Sequence, residues 1–112
     1  MNDAERVARW LVDLTAALDQ GAALIARGED AYRTDAALAL AFEALCSRVG
    51  GLAKRLRQAD PARFREPIWV QAARNRDFVV HHYGRIDLEV LWRTVAVDFP
   101  RLRKAMRAAE AG

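Results

Sequence analysis

Apolar residues recur along this chain every three or four positions and rarely alternate, a period that predicts helices rather than strands. Val7, Trp10, Leu11, Leu14 and Leu18 form one stripe of a first helix, opened by Asn2 and Glu5 with the spacing of a capping box. Gly21 falls inside that helix, Gly28 is its expected end, and 29–33 is expected as a loop. Thr34 or Asp35 then caps a second helix, 36 to about 57, with Leu38, Phe42, Leu45, Val49, Leu52 and Leu56 facing inward. The Gly50-Gly51 pair costs this helix roughly 1 kcal/mol per glycine in propensity, a cost that a close helix crossing would explain. Asp60-Pro61 ends it, because proline cannot continue the hydrogen-bond ladder. Pro67 suits the first turn of a third helix running to about Tyr83, with Gly84 as its stop. Asp87 caps a fourth, carried by Leu88, Leu91, Trp92 and Val95, and Asp98 with Pro100 reads as the start of a short fifth. The short connections predict an all-α, antiparallel up-and-down bundle of four main helices plus the fifth, with 1–112 as a single domain.

Composition agrees with that picture and narrows the setting. Leu, Ala and Val dominate, and only three prolines occur. Charged residues make up 29% of the chain, and no uninterrupted apolar run approaches the ~20 residues of a membrane span. The first residues lack the basic-then-apolar order of a signal peptide, and the single Cys46 cannot form an internal disulfide, so a cytoplasmic location is expected. The net charge is only +3, but basic residues gather at Lys54, Arg55, Arg57, Arg63 and Arg65, and again at Arg101, Arg103, Lys104 and Arg107. Such patches attract a polyanion such as RNA, and equally serve as solvated helix faces.

The third helix departs from the pattern. Its inward stripe would be Trp69, Ala73, position 76, Val80 and Tyr83, and position 76 is an arginine. A guanidinium on an apolar stripe is costly unless it is paired or faces a ligand or another subunit. Asp77 and His81 stand at i and i+4, so the carboxylate can orient the imidazole and favour its protonated form. A fixed cation, an oriented titratable ring and the Tyr83 phenol within two turns suit metal-free RNA cleavage. Neutral imidazole can take the ribose 2′-hydroxyl proton, imidazolium can protonate the leaving 5′-oxygen, and arginine stabilises the phosphorane. One helix supplies one copy of each group, and two copies meeting across a two-fold axis would supply both acid and base. A structural polar cluster of Arg76, Asp77 and His81 is the plain alternative. Two adjacent histidines and a distant Cys46 do not make a tetrahedral zinc set, and Cys46 on the core side of its helix is a poor nucleophile.

Arg76 through Tyr83, RDFVVHHY, fits the R-x4-H-x-Y signature of the HEPN superfamily and resembles in particular its HepT-like toxins. Helix geometry alone does not choose between Arg74 or Arg76 and His81 or His82. Asp77 four before His81, Trp69 seven before Arg76 and Tyr83 two after His81 together select Arg76 with His81. Pro67, the stretch 84–102 (GRIDLEVLWRTVAVDFPRL) and 41–56 (AFEALCSRVGGLAKRL) extend the resemblance over nearly the whole chain. It implies a dimeric helical bundle acting as a ribonuclease toxin of a type VII toxin–antitoxin pair, with Arg76 and His81 of each copy in a cleft between subunits and tRNA as the expected substrate. It also implies a nucleotidyltransferase antitoxin of the MntA type, which uses ATP to place AMP on Tyr83; the toxin itself needs no cofactor. AMP there would set bulk and negative charge beside Arg76 and His81. Asp77 stands where many members carry Asn, Gly84 replaces a frequent aromatic, and His82 adds a second ring beside the motif. Glu43 either pairs with Arg76 or is an ordinary helix glutamate, and Arg74, Lys54 and Arg55 are expected to face RNA. A non-catalytic HEPN module that binds a nucleotide and partners a nucleotidyltransferase is the alternative function.

Overall fold

The computed structural model describes the backbone of residues 2–81 and 87–111 and the side chains of residues 2–75 and 87–110. Its elements are α1 (Asp3–Ile25), α2 (Glu29–Thr34), α3 (Ala36–Ala59), α4 (Pro67–His81), α5 (Leu88–Arg93) and α6 (Phe99–Ala111), the last two joined by a π-helical turn, Thr94–Asp98. No strand occurs among the described residues. The Asn2 carboxamide oxygen accepts from the Glu5 N–H at 2.8 Å and its amide donates to the Glu5 carboxylate at 3.3 Å, so the first predicted cap is present. Asp35, rather than Thr34, caps α3 by accepting from the Ala37 N–H, and Asp87 caps α5 by accepting from Glu89 and Val90.

At the centre lies α3. All six of its predicted inward residues are buried, together with Cys46, Gly50 and Ala53. Its length and composition would suit a membrane crossing, yet here it packs most extensively on α4 and then on α1. The α5–α6 rod lies against α1, α3 and α4. Gly21 is buried where α1 meets that rod, and a Cβ built there would stand 2.8 Å from the Phe99 ring. Only a glycine permits that approach.

Three expectations are corrected. The segment expected as a loop, 29–33, is most of the short helix α2, following a turn in which Gly28 adopts φ +92. Six residues are too few to be helical on their own. Tertiary contacts supply the difference. Tyr32 is buried against Phe42 and Trp92, its hydroxyl donates to the Leu88 carbonyl at 2.6 Å, and Arg33 pairs with both Glu29 and Glu89. Leu88 itself is 38% exposed and not on the inward stripe.

Nor does a separate fifth helix begin at Asp98. The chain stays helical from Leu88 to Ala111, and the Phe99 N–H donates to the Thr94 carbonyl, five residues back. Pro100 has no N–H and its ring would press on the carbonyl four residues earlier. A widened π turn just before it relieves that clash without ending the helix.

Candidate active site on α4

Pro67 occupies the first turn of α4, where its missing N–H costs nothing. Trp69 anchors the turn: it is 1% exposed and meets the fully buried Phe64 edge-on, ring centroids 4.9 Å apart. Ile68 and Ala72 pack against the core, Ala73 is half-buried and Arg74 is exposed. The predicted stripe is therefore correct at Trp69 and omits Ile68 and Ala72.

The helical backbone continues through Arg76, Asp77 and His81. On a regular helix positions 77 and 81 lie about 40° apart around the axis and about 6 Å along it, the spacing of one turn. Positions 76 and 81 lie about 140° apart and about 7.5 Å along. The side chains of Arg76, Asp77 and His81 lie outside the described residues, as do His82 and Tyr83 altogether. Glu43 is half-buried on α3, and Lys54 and Arg55 are exposed on the same helix. The proposed Glu43–Arg76 pair also falls outside the described side chains.

Two members of the basic clusters are committed to the fold. Arg63 donates from Nε to the Ala109 carbonyl at 3.0 Å with its guanidinium 5.3 Å from the Phe64 ring centroid, and Arg103 pairs with Asp19 at 2.6 Å. Arg57, Arg65, Arg101, Lys104 and Arg107 are exposed.

One polar group was missed in the sequence. Asn75, immediately before Arg76, donates from its amide to the Asp98 carboxylate at 3.5 Å. Both line a cavity of about 10 Å³ with Cys46, Gln71 and Thr94, which is the room one water molecule needs. Asp98 stands seven residues after the buried Leu91 and four before the buried Leu102, so the helical period could have revealed it. Its place two residues before Pro100 made it read as a cap instead. Among the described residues no group of three or more His, Cys, Asp or Glu converges as metal ligands would.

Cys46, beside the same cavity, is held as a neutral thiol. Burial pushes it up to about 12, and the negative charges of Asp98 and Glu43 push the same way. Because the folded value is raised, this group's contribution to stability is complete below pH 9 and is lost as pH climbs through 12. The native chain should therefore react with a thiol reagent at pH 8 about 100-fold or more slowly than the urea-unfolded chain. Reaction at equal rates would show that Cys46 is open to solvent.

A family model, Ribonuclease HepT-like, matches residues 14–109, which takes in α2 to α5 whole and nearly all of α1 and α6. The chain belongs to the HepT-like ribonuclease family of the HEPN superfamily. A protein named "Probable ribonuclease HepT" from Thermococcus cleftensis is 46% identical over 35 residues, 31% of this chain and 32% of that relative. The alignment thus spans about a third of the curated relative's length. No solved structure matches the chain. In this HepT-like chain α4 is the element that bears the R-x4-H residues, and α3 is its main packing partner.

Proposed function

We propose that this chain is a metal-independent endoribonuclease toxin of a type VII toxin–antitoxin system, working as a homodimer on RNA, with tRNA the leading substrate. The observation that carries the reading is that R-x4-H falls on one helix, α4, inside a family match covering residues 14–109. Arg76 is the phosphate-binding and transition-state cation, and His81 the acid/base. In the first half of the reaction a neutral His81 removes the 2′-hydroxyl proton and the 2′-oxygen attacks the adjacent phosphorus. Protonation of the departing 5′-oxygen by an imidazolium completes the cleavage, leaving a 2′,3′-cyclic phosphate and a 5′-hydroxyl. The second imidazole is His81 of a second copy. Asp77 orients the ring, and Arg74, Lys54 and Arg55 hold the RNA backbone. Tyr83 is the acceptor through which an MntA-type nucleotidyltransferase, using ATP, silences the site with AMP.

The purified chain should cut a tRNA pool in EDTA, leaving 2′,3′-cyclic phosphate ends. Incubation with an MntA-type enzyme and ATP should add one or more AMP masses to a peptide containing Tyr83 and abolish the cutting. A pure chain that leaves RNA intact under these conditions, and does not arrest growth when expressed alone, would defeat the enzyme reading.

A further inference from the structure

We propose that Asp98 is a positioning residue, which sets the rotation of α4 through Asn75 and thereby the placing of Arg76 and His81; this rests on the ribonuclease reading above. Asp98 is a half-buried carboxylate at a core-facing position of the α5–α6 rod, between Leu91, Val95 and Leu102. Burying a carboxylate is unfavourable unless polar partners meet it. The partner lies on α4: the Asn75 amide reaches Asp98, and Gln71, one turn earlier on α4, lines the same small cavity. Thr94 is already committed, donating to the Val90 carbonyl at 2.7 Å. Among the described residues Asn75–Asp98 is the one side-chain hydrogen bond from α4 to another element. Everything else that seats the first half of α4 is apolar packing by Trp69, Ile68 and Ala72.

That division matters because apolar contacts hold a helix against the core but tolerate small rotations, whereas a hydrogen bond selects one. A leucine at position 98 would pack at least as favourably, as buried polar groups commonly do not repay their desolvation. What a leucine lacks is an acceptor for Asn75. At 3.5 Å the bond is longer than a strong amide–carboxylate contact, and the adjoining cavity leaves room for one water to share it. The π turn is what carries Asp98 at this angle, since it widens the rod where α4 crosses it. The next residue of α4 after Asn75 is Arg76, so any rotation released at Asn75 is passed directly to the motif.

The test compares Asp98→Leu, Asp98→Asn and Asn75→Ala in the full chain by melting temperature, RNA-cleavage kinetics and backbone amide NMR. Asp98→Leu should melt no lower than the parent, lose about 10- to 100-fold in kcat with KM within about twofold, and shift the amide resonances of residues 76–81. Asp98→Asn keeps an acceptor and should stay within about threefold of the parent. Asn75→Ala should resemble Asp98→Leu, and combining the two should add little. Full activity in Asp98→Leu, a loss that merely follows melting temperature, or equal damage from Asp98→Asn would overturn the proposal. If the parent cleaves no RNA, the ribonuclease reading fails by itself. The amide shifts still decide on Asp98: unmoved α4 resonances in Asp98→Leu defeat it.

Discussion

Arg76→Ala and His81→Ala should each lower RNA cleavage by about 10²- to 10⁴-fold while leaving the melting temperature nearly unchanged. The size follows from what each group supplies. Positioned general acid–base catalysis is worth about 10²- to 10⁴-fold, and loss of one preorganised charge on the developing oxyanion about 10²- to 10³-fold. Arg76→Lys should rescue only part, because an ammonium cannot make the two-pronged contact of a guanidinium with phosphate oxygens. Subunit mixing adds a sharper measurement. When acid and base are the His81 rings of two copies, adding His81→Ala protein to the parent should depress activity below the parent's share of the mixture. Activity in strict proportion to that share would place the whole reaction within one copy. Cleavage by both alanine variants at the parental rate would move the active site away from α4.

Trp69→Ala should produce the largest loss of stability, about 3–5 kcal/mol in urea unfolding. Trp69 is almost fully enclosed, and removing it leaves a cavity against the Phe64 ring that the neighbouring helices cannot fill by small shifts. Trp69→Phe keeps an aromatic edge for Phe64 and should cost roughly half as much. The consequence reaches the motif, because Trp69 seats the first turn of the helix that carries Arg76 and His81. A variant that unfolds at the parental urea midpoint would show that α4 is held elsewhere.

Much of this architecture was legible in residue order, and the exceptions share a cause. The α3 stripe from Leu38 to Leu56 was read without error because its burial is periodic over seven turns and needs no knowledge of partners. Asn2, Asp35 and Asp87 were equally readable, since a cap is a contact within three residues. The short helix α2 was not, because Tyr32 and Arg33 owe their places to Leu88 and Glu89, more than fifty residues away. Asp98 illustrates a conflict between scales. Locally an acidic residue before proline signals a helix start, and in three dimensions the core overrides that signal with a π turn. For the motif, spacing identified Arg76, Asp77, His81 and Tyr83 as one group. Asn75 and Asp98 could not join it from spacing alone, being 23 residues apart.

The π turn also makes a statement about chain length. Thr94–Asp98 spends about one residue more than an ordinary turn, and α6 inherits the resulting phase. Dropping one residue there would rotate everything downstream by about 100°, carrying Leu102 and Met106 from the core toward water. In sequence this stretch, with its aspartate and proline, looks like a joint at which insertions and deletions are absorbed. In the folded chain it acts as a fixed gear tooth, and residues can be exchanged there far more readily than their number can change.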